Sequence, residues 1–155
     1  VDADEAELDA LAELWFRAWQ DAHARILPAE LARERTLESF RERLGDAIAD
    51  LRVAHVDGRP AGFSWIKDDE LYQFYLAAEA RGTGLARRLM DDAIAILRAR
   101  GVRTAWLACA IGNDRAARFY EKAGWHSARI MTSHLKTPSG VFDLDVWRYE
   151  IVLSP

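Results

Sequence analysis

Apolar side chains recur at helical spacing near the start of the chain. Leu8, Leu11, Ala12, Trp15, Ala18 and Trp19 fall on one face of a helix over 4–24, with Asp4 and Glu7 as its cap. Pro28 opens a short turn or helix through Arg33. Thr36 caps a further helix that puts Leu37, Phe40, Leu44 and Ile48 on one side. The period then falls to two. Segments 51–56 and 61–67 read as strands around Asp57-Gly58, a pair that favours the type I′ hairpin turn. An aromatic-rich strand follows over 70–77. Leu85, Leu89, Met90, Ala93, Ile94 and Leu97 make a broad apolar face over helix 84–100, which stops before Gly101. A buried strand over 103–111, a short helix over 113–122 and two closing antiparallel strands, 125–135 and 142–153, complete the chain. Loop 136–141, with Pro138 and Gly140, joins the last two.

Two of the junctions carry chemistry. The first, Arg81-Gly82-Thr83-Gly84-Leu85-Ala86, links the aromatic strand to the long helix. Gly82 and Gly84 tolerate positive φ and leave the backbone bare for close approach. The helix after them offers unpaired N–H groups and the positive end of its dipole, which suits a phosphate. Arg81, Arg87 and Arg88 add opposite charge. A dinucleotide fingerprint fails here because Arg87 holds the third glycine position, and no P-loop G-K-[ST] is present. Taken alone, the string describes any left-handed turn before a helix. The second junction, residues 113–125, supplies Asn113 as an N-cap and Gly124 as a C′ glycine. Ala116, Ala117 and Phe119 leave one helix face small, and Tyr120 adds a hydroxyl.

Together these segments resemble the acetyl-coenzyme A site of the GNAT N-acetyltransferase superfamily. R-x-x-G-x-A at 81–86 is similar to its pyrophosphate motif, and N-x-x-A-x-x-F-Y-E-K-x-G-W at 113–125 to its second cofactor motif. The likeness runs from about Asp4 to the end and is most specific over 70–125. Residues 14–31 resemble a bacterial subgroup less specifically. The resemblance implies an α/β (α+β) GNAT fold: a central mixed, mostly antiparallel twisted sheet flanked by helices. The family begins with a strand before its first helix, and this sequence is expected to start just after it. The implied cosubstrate is acetyl-CoA, held by Leu76, Arg81, Gly82, Thr83, Gly84, Leu85, Ala86, Arg87, Asn113, Ala116, Phe119 and Tyr120.

The resemblance also suggests roles. Tyr120 is the candidate general acid for the leaving thiolate, since many family members use a tyrosine at this position; its alternative is a core tyrosine with a satisfied hydroxyl. The Leu76 amide is the implied oxyanion donor. Glu70, six positions earlier, resembles the catalytic glutamate of the histone-modifying branch and is the candidate base, because an amine acceptor is protonated near pH 7. Strand alternation places Glu70, Tyr72, Phe74 and Leu76 on one face unless a bulge shifts the parity. Burial beside Tyr72 and Phe74 would raise its pKa toward neutrality; an exposed strand-end carboxylate is the alternative. Trp19, Trp65 and Tyr72 are candidates for an acceptor pocket. Cys109 reads as a small buried hydrophobe.

Composition narrows the partners. A chain of 155 residues makes a single domain, 1–155, and the net charge of −4 gives no nucleic-acid footprint. One cysteine excludes an internal disulfide and fits a cytoplasmic protein. No apolar run suits a membrane span, and His23, His55, His126 and His134 lack metal-ligand spacing, so neither membrane nor metal is expected. The chain starts at Val1 rather than Met, so further residues are expected before it. The expected activity is acetyl transfer to a primary amine, on a small molecule or a protein N-terminus, by direct attack in a ternary complex. The expected state is a monomer or homodimer. The rival is a non-catalytic acyl-CoA-binding or sensing module.

Overall fold

The computed structural model describes residues 1–153. Helix α1 (Leu8–His23) follows a 3-10 turn at Glu5–Glu7. The Asp4 carboxylate accepts the Ala6 N–H at 2.9 Å, as a cap, whereas Glu7 turns to His55 Nε2 at 2.6 Å. Helix α2 (Ala29–Glu34) begins after Pro28, and Thr36 caps α3 (Leu37–Asp46) by accepting the Ser39 N–H at 3.1 Å. Ile48 lies beyond α3, in a 3-10 turn that feeds the first strand.

Strands β1 (Leu51–Val56), β2 (Arg59–Lys67), β3 (Glu70–Leu76), β4 (Thr104–Ala110), β5 (His126–Thr137) and β6 (Gly140–Val152) form one sheet in the order β1-β2-β3-β4-β6-β5. Asp57 and Gly58 both have positive φ, 52° and 76°, as the type I′ hairpin requires. Every pair is antiparallel except β3–β4, which is parallel and connected through α4 (Leu85–Ala99). Helix α5 (Asp114–Lys122) links β4 to β5. Beside β1, Asp2 bridges antiparallel to Arg52, and the Val53 N–H donates to Val1 O at 2.8 Å. Only that bridge forms among the described residues, so no seventh strand is built there.

Two cores sandwich the sheet. Trp15, Phe40, Phe63 and Trp65 lie in the one under α1 and α3; Met90, Leu97, Leu107 and Trp125 lie in the one under α4 and α5. The closing hairpin is longer than its sequence suggested. Lys136 pairs with Val141 and Thr137 with Gly140, leaving Pro138 and Ser139 as the turn. Gly140 adopts φ 128°, and the Thr137 hydroxyl donates to its carbonyl at 3.0 Å, so strand pairing extends into the expected loop. No described helix is long and apolar enough to cross a membrane.

Two irregularities set the geometry beside β3. Trp65 pairs with Gln73 but Ile66 with Leu71, so Tyr72 is an extra residue bulged out of β3. Tyr72 and Tyr75 consequently join the α1/α3 side, while Leu71 and Phe74 join the α4/α5 side. The simple alternation of Glu70, Tyr72, Phe74 and Leu76 on one face therefore does not hold. Secondly, the β3–β4 ladder is a single bridge, Glu70 to Trp106. Leu76 still pairs with Gly62, and Ala110 with Val146, so the two strands part toward their C-terminal ends.

Candidate active site

The gap between β3 and β4 is lined by main chain. Ala77 N–H donates to Ala61 O at 2.8 Å, making this an antiparallel hydrogen-bonded pair. In such a ladder the next residue faces the other way. The Leu76 N–H therefore points away from β2, into the gap where β4 has departed.

The turn at the end of β3 is built by its glycines. Gly82 has φ 75° and Gly84 φ 83°, and a Cβ on either would meet nothing within 4 Å. Glycine is thus required by dihedral angle rather than by crowding, and the open space admits a ligand to the backbone. Gly84 is the N-cap of α4. Thr83 shapes the turn: its hydroxyl donates to Ala80 O and its oxygen accepts the Leu85 N–H at 3.4 Å. The Leu85 side chain is buried beside Ala61 and Ala80. The amides of Ala86 and Arg87 remain at the head of a helix whose first N–H groups lack intrahelical acceptors.

The facing wall is α5. Asn113 Oδ1 accepts the Ala116 N–H at 3.4 Å. At the other end Gly124 (φ 100°) closes a Schellman turn, with the Trp125 N–H donating to Tyr120 O at 3.0 Å and the Gly124 N–H to Glu121 O at 3.1 Å. These two ends fix the pitch of Ala116, Phe119 and Tyr120 toward the gap.

A cleft of about 300 Å³ fills the space. Of the residues singled out from sequence, Leu76, Arg81, Gly82, Ala86, Asn113, Ala116, Phe119 and Tyr120 line it. Thr83, Gly84 and Leu85, also expected at the cofactor, lie outside the lining, in the turn that shapes it. Arg87 lies outside the lining and pairs with Asp91 at 3.4 Å. Glu70 also lies outside it, at the closed end of the gap, with Lys67, Asp69 and Arg148 as its charged neighbours. The sequence reading missed Arg115 and His23, both of which line the cleft. Arg115 had a signal: a cation in the first turn of α5 opposes the helix dipole, so something else must favour it there. Burial and the charge of Arg81 both hold its guanidinium below its usual pKa.

Burial dominates the titration of the site. It raises the Tyr120 phenol far above its ordinary value, so Tyr120 stays protonated. Among the described residues no hydrogen-bond partner is found for that hydroxyl, which borders the cleft. Burial pushes the Cys109 thiol up to about 12, so it is no thiolate nucleophile. His23 falls to about 4 for the same reason and is neutral above that pH, with Nδ1 unpartnered. The Glu70 carboxyl is raised to about 7, chiefly by burial, against the opposing pull of Lys67.

The donor set suits an extended diphosphate thioester. It offers bare amides and two arginines, Arg81 and Arg115, at one end, a small-residue wall at Ala116, and an inward amide with a protonated phenol at the other. The acetyltransferase (GNAT) family model matches residues 8–125. The chain belongs to that family. Among GNAT relatives, an uncharacterized N-acetyltransferase from Mycobacterium bovis is 35% identical over 91 residues, 56% of this chain and 58% of that protein. A mycothiol acetyltransferase from Beutenbergia cavernae is 37% identical over 100 residues, 58% of this chain and 34% of that protein. The chain thus spans little more than half the length of the first and a third of the second. A GCN5-related N-acetyltransferase from Rhodopseudomonas palustris superposes with a TM-score of 0.78 at 18% identity, covering 99% of this chain and 94% of the other. The PaiA N-acetyltransferase from Thermoplasma acidophilum, in complex with coenzyme A, gives 0.74 at 21% identity over 98% and 96%. These two likenesses establish the shared GNAT fold.

Proposed function

We propose that this GNAT protein is an acetyl-CoA-dependent N-acetyltransferase, transferring an acetyl group to a primary amine by direct attack in a ternary complex. The observation that carries the reading is the Leu76 N–H turned into the β3–β4 gap, in the same cleft that the protonated Tyr120 lines. Acetyl-CoA supplies the thioester. The amides at 82–87, with Arg81 and Arg115, bind its diphosphate. The Leu76 N–H donates to the carbonyl oxygen as negative charge develops there. The Tyr120 hydroxyl donates its proton to the departing sulfur. Glu70 takes the acceptor's proton through water, since it lies outside the cleft lining. The acceptor is a small molecule or a protein N-terminus, and the protein works in the cytoplasm as a monomer or homodimer.

The test is thiol release from acetyl-CoA with a panel of amines, paired with product mass and with calorimetry of coenzyme A. Amine-dependent thiol release, with the mass of one acetyl group added to the amine, is the expected result. Tight cofactor binding with no turnover on any amine would instead support the acyl-CoA-sensing rival.

A further inference from the structure

Two arginines on the α1/α3 side of the sheet form no ion pair among the described residues, although Glu34 stands near enough to Arg35 to act on its charge. Arg35, the residue after α2, is only 6% exposed. Its guanidinium donates to the carbonyl of Lys136 at 3.4 Å, close to the turn of the β5–β6 hairpin. Arg43 in α3 donates from Nη2 to the Tyr72 hydroxyl at 2.8 Å and lies 4.6 Å over the Trp15 ring. Among the described residues neither forms an ion pair with a carboxylate. Glu34, next to Arg35 in sequence, is bonded by Ser139 instead.

The pair is strained electrostatically. Burial and the charge of Arg43 bring Arg35 down to about 10. Desolvating a cation without a partner is costly, and two cations near one another add to that cost. The single carbonyl contact to Arg35 and the aromatic rings around Arg43 offset part of it. A carboxylate brought between them would offset the rest, because a guanidinium fork matches a carboxylate with two parallel hydrogen bonds.

Position ties the pair to the cleft. Arg43 donates to the Tyr72 hydroxyl at 2.8 Å, and Tyr72 and Tyr75 both line the cleft. The bulge in β3 is what turns Tyr72 to this side. Neither arginine is itself in the lining; Arg43 reaches it through Tyr72, on the wall opposite α4 and α5 where the cofactor motifs lie, which is the side left for an acceptor.

We propose that Arg35 and Arg43 recognise a carboxylate on the acceptor, so that the substrate is an amino-acid-type amine rather than a simple alkylamine. The inference rests on the acetyltransferase reading and deepens it. A purely structural role for Arg35, bracing the hairpin turn through Lys136, predicts no preference between an acid and its amide.

Two measurements separate these outcomes. Initial rates with acetyl-CoA are compared for a panel of amino acids and their α-amides. Calorimetry of the coenzyme A-loaded protein uses the matching N-acetyl amino acids and N-acetyl amino-acid amides as probes, which needs no turnover. The expected result is a preference for the acid of roughly tenfold or more in kcat/KM and in affinity, the size of a charge-assisted bond. Arg43→Met and Arg35→Met should each collapse that ratio, and Arg43→Lys should restore part of it. Arg43→Met, at the more exposed site, carries the test should Arg35→Met fail to fold. Acetylation of amines with no acid preference overturns the carboxylate site and leaves the acetyltransferase standing. Preferential binding of the acid probe without any turnover does the reverse. An acid-to-amide ratio unchanged in both variants, or no binding by any acid in the panel, also overturns the proposal.

Discussion

Phe74 of β3 and Phe119 of α5 stack across the gap, with ring centroids 5.7 Å apart and planes 20° from parallel. Both line the cleft and both are half-buried, so the stack serves as floor and as packing at once. Phe119→Ala should cost about 2 kcal/mol, below the ~3–5 of a fully buried phenylalanine because part of the ring is already wet. A lower Tm and weaker coenzyme A binding should appear together. Loss of stability with unchanged affinity would show that the stack is packing alone.

Tyr120→Phe removes one oxygen from a ring held by Phe74, Trp125 and Tyr149. The fold should persist, since that hydroxyl braces no described neighbour. Turnover on a verified acceptor should drop ~10²–10⁴-fold, the usual worth of a general acid. Coenzyme A affinity should stay within a few fold. Equal turnover by the two proteins would remove Tyr120 from the mechanism.

Glu70 makes a prediction about stability as well as rate. Its pKa is raised in the folded state, from 4.5 to about 7, so the folded protein holds a proton that the unfolded chain has released across this range. The wild type should lose stability as pH rises from 4.5 through about 7 and lose no more above it, whereas Glu70→Gln should not. Melting curves of the two should coincide at a pH below the unfolded value and separate above the folded one, the variant being more stable there. If Glu70 also takes the acceptor's proton, the variant should lose the rate step near pH 7 and recover partly at high pH. A shared pH–rate profile would assign that proton to another group.

Gly84→Ala and Gly101→Ala form a matched pair. Both glycines have positive φ, 83° and 79°, with nothing within 4 Å of a new Cβ. Each substitution should cost about 1–2 kcal/mol of backbone strain. Only the change at Gly84, heading α4, should also weaken coenzyme A binding. An equal loss of affinity in the two variants would mean that the effect is strain transmitted through α4, since Gly101 follows the same helix.

Arg115→Ala should weaken coenzyme A binding by about tenfold and make it less sensitive to salt. Relief of the repulsion with Arg81 predicts unchanged or slightly higher stability of the unliganded protein. A fall in Tm without a change in affinity would place Arg115 in the structure rather than the site.

Much of this was legible in the chain because it depends on local rules. Gly82 and Gly84 announce a left-handed turn, Asn113 and Gly124 bracket a helix, and Asp57-Gly58 specifies its hairpin. Each signal is complete within a few residues. The bulge at Tyr72 is set by how β2 and β3 fit against two different cores, so it cannot be read from β3 alone, and the face of each aromatic followed from it. Arg35 carries no local signal in the sequence; its burial and its contact with the Lys136 carbonyl, 101 residues away, come from tertiary packing. Pro138 and Gly140 signalled a turn, but not that strand pairing would close to within two residues of it.

The lone bridge from Glu70 to Trp106 has a mechanical consequence. Backbone bonding divides the sheet into two plates, one of β1 to β3 and one of β4 to β6, coupled at a single rung and through the α4 crossover. Such a pair behaves like a spring clip, whose aperture is fixed by whatever lies between its jaws. A ligand whose amide groups bond the exposed edge of β3 would act as the missing rungs. Part of its binding energy would then stiffen the clip, and slowed amide exchange in β3 and β4 would report the grip.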